Sequence, residues 1–141
     1  MELLESYQDT IGPTRIPVVA VQWISELLMR IVGELLGRWP VNDRDWEMVS
    51  KRIGLKVCYV PHTLVASPLM KYDFGLQRGH VAIPQVTDRH QRCRWLFHEV
   101  IEVLLGLEHY HPPIIYPVEW GNDHDIARAV EELFFGPRLQ F

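Results

Sequence analysis

The sequence feature that most constrains the fold is the apolar stretch from Trp95 to Gly106, which contains only three polar residues. These are His98, Glu99 and Glu102. In a helix, His98 and Glu102 are four residues apart and share one face, and Glu99 lies at the edge of that face. Buried ionisable groups are unfavourable unless they are paired or coordinated. The stretch therefore predicts a core helix whose polar residues have a specific role.

An imidazole and a carboxylate on one helix face are suitable ligands for a divalent metal, and a second carboxylate beside them can act on a water. The pattern is H-E-x-x-E, one letter from the zinc-peptidase signature H-E-x-x-H. The motif alone fits a second interpretation equally well, in which a hydrogen-bonded core histidine lies beside two glutamates on the helix surface.

The composition indicates an ordinary globular protein with no charge signal for nucleic acid. A chain of 141 residues predicts one domain. A formal net charge of −4 provides no basic patch for nucleic acid or an acidic membrane. Cys58 and Cys93 form no C-x-x-C pair, and the N-terminus has no basic-then-apolar signal sequence. We therefore expect a cytoplasmic protein.

The N-terminal part predicts a loose arm over residues 1–15, followed by a long helix over 16–37. The second segment is apolar enough that a membrane span must be considered. However, Glu26, Arg30 and Glu34 recur every four residues and form a charged stripe. Such a stripe opposite an apolar arc is typical of an amphipathic helix packed on a core, and costly in lipid. We therefore expect an amphipathic helix.

The middle of the chain predicts one more helix and three short strands. The helix runs from about 42 to 53, and the first strand covers 55–60, where apolar residues alternate with mixed ones. Two further strands are expected near 70–76 and 79–83. Pro84 is expected to end the last strand or confine it to a sheet edge.

The core helix is expected to begin after Pro84, with Thr87 or Asp88 as its N-cap, and to stop at Gly106. Residues 107–121 predict an irregular connection, and 122–135 a final helix. These elements indicate an α+β domain over 1–141, with helices around a small three-stranded sheet.

A catalytic zinc site has three protein ligands and one open position, so a third ligand is needed beside His98 and Glu102. The first turn of the final helix offers Asp123, His124 and Asp125, and each of these could coordinate a metal.

The segment from Leu55 to Pro137 resembles the ImmA/IrrE family of zinc metallopeptidases. Members of that family have a helical N-terminal part, a small sheet, the H-E-x-x-H helix and a final helix. Their final helix carries E-x-x-A-N-x-F-A-A-x-L-L-M-P, whose Glu is the third zinc ligand. Residues 124–137 align with this motif without a gap, with Ala127 at its alanine and Pro137 at its proline. His124 occupies the position of the metal-binding Glu.

The resemblance implies a ligand set of His98, Glu102 and His124. The family has His where this chain has Glu102, and Glu where it has His124. The two exchanges together keep two histidines and one carboxylate, a set that suits Zn²⁺ and also Fe²⁺ or Mn²⁺.

Two more residues of the final helix belong to the candidate site. Arg128 replaces the asparagine of the family motif. Glu131 lies one turn further on, where it could pair with Arg128 or lie near the metal.

The resemblance further implies a zincin-like fold and a zinc-dependent peptidase that cleaves a peptide or protein, such as a transcription regulator. Glu99 would then be the general base. The strand 79–83 would be the edge along which an extended peptide lies. The connection carrying His109, Tyr110, His111 and Tyr116 could stabilise the developing oxyanion.

Three alternatives remain open. His98, Glu102 and His109 approximate the metzincin pattern H-E-x-x-H-x-x-G-x-x-H, although Gly106 and His109 each come one position late. A non-catalytic metal-binding regulatory or interaction module of the same fold is the second alternative. The third is an α+β domain without a metal.

Overall fold

The computed structural model of the protein describes residues 16–110 and 117–136, so the predicted arm over 1–15 lies outside the described residues. The described part contains helices and a three-stranded sheet, which confirms the predicted α+β class. In chain order the elements are α1 (Val18–Leu36), α2 (Asp43–Arg52), β1 (Leu55–Pro61), β2 (Leu69–Asp73), β3 (Arg78–Gln85), α3 (Arg89–Tyr110), a 3₁₀ turn (Val118–Trp120) and α4 (Asp123–Phe135).

Helix α1 is amphipathic, as its sequence predicts. Its buried face consists of Val21, Ile24, Ser25, Leu28 and Val32, and the charged stripe points to solvent. The helix ends at Gly37, whose φ of 83° is the left-handed conformation that glycine adopts without a steric penalty. Among the helices that the structure describes, none is both long and apolar enough to cross a lipid bilayer.

The sheet has the strand order β1-β3-β2, with β1 parallel and β2 antiparallel to β3. The predicted strand 79–83 is therefore the central strand. Its prediction as a peptide-binding edge is wrong, because β1 and β2 both pair with β3 over residues 79–82. The outer strands of the described sheet are β1 and β2.

Pro84 neither ends β3 nor makes the whole strand an edge. The strand continues to Gln85, and Pro84 pairs with Val60 of β1. However, the pairing with β2 stops at Ala82, opposite Leu69. Proline has no N–H to donate, and it lies where only one neighbouring strand is paired with β3.

Helix α3 begins where expected but runs one turn further than its sequence predicts. The carboxylate of Asp88 accepts hydrogen bonds from the backbone N–H groups of His90 and Gln91, at 3.0 and 3.3 Å. The predicted stop at Gly106 is wrong. A Cβ at this position would lie 2.2 Å from Cε1 of Phe74, so the glycine makes room for an aromatic ring that packs against the helix.

Part of the predicted irregular connection is regular, because residues 107–110 continue α3 and Val118–Trp120 forms a 3₁₀ turn. Residues 111–116 lie outside the described part of the chain.

Helix α4 matches its predicted position, and its first turn is fixed by a capping box. The Asn122 side chain accepts a hydrogen bond from the backbone N–H of Asp125 at 3.0 Å, and the Asp125 carboxylate accepts one from the Asn122 N–H at 3.1 Å. Gly121 has a φ of 88°, and a Cβ there would collide with the Asp125 carboxylate. The cap therefore fixes the backbone that carries His124.

Candidate metal centre

Three side chains from two helices converge at one point. His98 and Glu102 lie one turn apart on α3, and His124 lies in the first turn of α4. The atoms that meet are His98 Nε2, Glu102 Oε2 and His124 Nδ1, and each pair of them is 3.2 Å apart. The structure thus brings together the three residues that the sequence analysis selected as ligands.

This arrangement has the dimensions of one face of a tetrahedral metal site. Two ligand atoms bonded at about 2.0–2.1 Å to a tetrahedral zinc lie about 3.3–3.4 Å apart. The observed separations of 3.2 Å are close to this value. His98, Glu102 and His124 therefore form a group that could bind a metal ion.

Exposure increases steadily across the three ligand side chains. His98 is 3 % exposed, Glu102 is 24 % exposed and His124 is 55 % exposed. The cluster is thus anchored in the core on one side and reaches solvent on the other. A catalytic metal site requires such an accessible side, because its fourth position is kept for water or substrate.

The charges around His98 favour a cation at this point. Burial of the ring lowers its pKa, but hydrogen bonds with Glu102 and Glu131 and the charges of Glu99 and Glu131 outweigh burial and raise the pKa to about 9. Burial raises the pKa of the Glu102 carboxyl, but His98 and His124 outweigh it, so that this pKa lies below its usual value. A metal that binds at neutral pH therefore displaces a proton from His98.

Glu131 lies directly behind the cluster, on the buried side. Its side chain is 0 % exposed, and its Oε1 is 2.9 Å from His98 Nδ1. Carboxylates that bind the second nitrogen of a histidine ligand fix the ring orientation and the tautomer. Of the two positions that the sequence allowed for Glu131, the structure shows the one behind a ligand.

Arg94 is the residue at the site that sequence reasoning missed. Its Nε donates to Glu131 Oε2 at 2.5 Å. A signal was present in the sequence, because Arg94 precedes His98 by four residues and thus lies on the same face of α3.

The remaining candidates on α4 do not join the cluster of three. The carboxylate of Asp125 is used in the capping box. Asp123 lies in the first turn and is half-buried. Arg128 is paired with Glu132, with Nε 3.5 Å from Oε1.

The backbone of α3 argues against His109 as the third ligand. The helix continues through Tyr110, so position 109 is about 16 Å along the helix axis from position 98. The metzincin-like arrangement needs the chain to leave the helix before its third histidine. The side chains proposed to stabilise an oxyanion (His109, Tyr110, His111 and Tyr116) lie outside the described part of the structure.

Glu99 is next to His98 and is 8 % exposed. Its negative charge contributes to the raised pKa of His98, so the two side chains are electrostatically coupled. Its role as a general base stays a prediction.

No protein-family model, curated protein or solved structure matches the chain. The resemblance to the ImmA/IrrE family therefore stays a prediction from the motifs.

Proposed function

We propose that this chain is a zinc-dependent peptidase with a zincin-like fold, in which His98, Glu102 and His124 hold the metal. The observation that carries the proposal is the triangle of one oxygen and two nitrogen atoms, 3.2 Å on each side and open to solvent at His124. Two imidazoles and one carboxylate favour zinc, with Fe²⁺ and Mn²⁺ as the alternatives.

When bound, the ion would supply Lewis-acid chemistry, which polarises a carbonyl and makes water acidic enough to act as a nucleophile near neutral pH. Glu99 would accept the proton of the attacking water on its carboxylate and later give it to the nitrogen of the leaving amine. Cleavage thus consumes one water and yields one carboxylate and one amine, without a redox step.

The outer edge of β2 is the place where we propose that an extended peptide lies. We assign the peptide to the edge of β2 and not to β3, because β3 lies between β1 and β2. Phe74, directly after β2, packs against Gly106 of α3, so that β2 borders the helix that carries two of the ligands. A peptide added as a further strand would receive main-chain hydrogen bonds from this edge. An intracellular protein such as a transcription regulator is the proposed substrate class.

The proposal is tested by the metal content of the purified chain and by cleavage of a peptide library read by mass spectrometry. We expect one zinc per chain, and cleavage that chelation abolishes. Glu99→Gln should keep the zinc and lose the cleavage. Zinc without cleavage of any peptide would instead support the non-catalytic metal-binding module, and a chain without metal would refute both functions.

A further inference from the structure

We propose that Arg94 and Glu131 form a buried ion pair that positions His98 for the cation. This inference rests on the proposed metal site and assigns positioning roles to two residues that do not contact the metal themselves. The pair lies between α3 and α4 on the buried side of His98.

The two oxygens of Glu131 serve different partners. Oε2 accepts from Arg94 Nε at 2.5 Å, and Oε1 is 2.9 Å from His98 Nδ1. An arginine–carboxylate pair that only joins two helices commonly uses both oxygens in a bidentate contact. Here one oxygen faces the imidazole instead, so the carboxylate contacts two successive turns of α3.

This contact decides which ring nitrogen of His98 is available to a metal. A neutral imidazole has one N–H and one lone pair. With the N–H on Nδ1, donated to Glu131, the lone pair is on Nε2, the atom that faces Glu102 and His124. In the opposite tautomer, the lone pair of His98 Nδ1 would face the carboxylate oxygen of Glu131, so that two acceptors would meet. Nε2 would then carry the N–H and would have no lone pair for the cation.

Arg94 is itself held in place. Its second guanidinium nitrogen donates to the carbonyl oxygen of Gly136 at 2.8 Å, at the C-terminal end of α4. Its guanidinium carbon lies 5.7 Å from the centre of the Phe135 ring. Arginine keeps its charge at any ordinary pH, so it supplies a permanent positive charge next to a carboxylate that is 0 % exposed. The carboxylate is thus fixed in position before a metal arrives.

The test compares Glu131→Gln with the control Glu132→Gln, which removes the neighbouring carboxylate on the same helix. Zinc affinity is measured by competition with a chromophoric chelator. We expect Glu131→Gln to weaken zinc binding about 10- to 100-fold, and the control to stay within about twofold of the wild type. Nitrogen-15 NMR of the zinc-loaded wild type should show the His98 proton on Nδ1, and this signature should be lost or shifted in Glu131→Gln only.

A second variant keeps the proposal testable where Glu131→Gln does not fold. The double substitution Arg94→Met with Glu131→Gln removes both charges and leaves no unpaired ion in the core. We expect it to fold and to bind zinc at least about tenfold more weakly than the control.

Zinc binding by the folded variants within about twofold of the Glu132→Gln control would overturn the positioning role while leaving the metal site intact. A wild type that binds no zinc would refute the proposed function itself, so the two failures are distinguishable.

Discussion

The contact between α3 and α4 has two ends that differ in burial and in the way they are held. At the inner end, Arg94, Glu131 and His98 form a chain of charged contacts that is almost fully buried. At the outer end, Glu102 and His124 meet near the surface, and His124 is 55 % exposed. The inner end thus has the features of a structural anchor, and the outer end those of a binding site.

This difference predicts that mutations at the two ends differ in their effect on the stability of the metal-free protein. Removing one member of a buried ion pair leaves its partner uncompensated in the core, which is strongly destabilising. An exposed ion pair contributes little to stability. We therefore expect mutations at the inner end to lower both the free energy of unfolding and the zinc affinity, and mutations at the outer end to change the response to metal with little effect on stability.

The largest effect is expected from Glu131→Ala at the inner end. The substitution leaves Arg94 and His98 without their shared carboxylate, and the free energy of unfolding should fall by about 3–5 kcal/mol. Urea denaturation in the presence of a chelator measures this effect. In the control Glu34→Ala, which removes an exposed carboxylate of α1, the loss should remain below about 1 kcal/mol. Equal losses in the two variants would remove the distinction between the ends.

His124→Ala at the outer end should leave the stability of the metal-free protein nearly unchanged, because the side chain is largely exposed. It should, however, abolish stabilisation by zinc, which for the wild type is about 2.7 kcal/mol at a free zinc concentration about 100 times the Kd. Thermal unfolding with and without zinc measures both quantities. Undiminished stabilisation by zinc in this variant would exclude His124 as a ligand.

Raising the pH should lower the stability of the metal-free protein but increase its affinity for zinc. Protonation of His98, whose pKa is raised to about 9, stabilises the metal-free protein. That contribution is complete below about pH 6.5 and is lost as the pH rises through about 9. Zinc must displace the same proton, so its affinity should increase by up to about tenfold per pH unit towards pH 9. Unfolding curves and zinc titrations between pH 6 and 9.5 measure the two trends, and an affinity independent of pH would contradict them.

The smallest effect is expected from Asn122→Ala, which removes the side-chain cap of α4 at the outer end. Loss of an N-cap costs about 1 kcal/mol, to be measured by urea denaturation. Because the cap holds the first turn that carries His124, zinc affinity should decrease modestly as well. A loss as large as that of Glu131→Ala would show that the outer end is also a structural anchor.

Local patterns in the sequence predicted the helices and strands to within a few residues, because capping residues and apolar periodicity act over short distances. Asp88 caps its helix as expected. Helical spacing and the motif alignment indicate His98, Glu102 and His124 as ligands, because both depend on local sequence and not on the contact between α3 and α4.

The errors concern contacts between distant parts of the chain. Strand order depends on which strands pair, and the local pattern of 79–83 does not reveal that β3 lies between β1 and β2. Gly106 has the appearance of a helix stop until the ring of Phe74 is found against it. The link between Arg94 and Glu131 joins residues 37 positions apart, which no local spacing rule indicates.

The most direct test of the account is X-ray absorption spectroscopy at the zinc edge of the loaded wild-type protein, because it counts the imidazole ligands. We expect one zinc per chain with two imidazoles and oxygen ligands at about 2.0–2.1 Å. One imidazole, none, or a protein that retains no zinc would contradict the central claim that α3 and α4 each supply a histidine to one metal site.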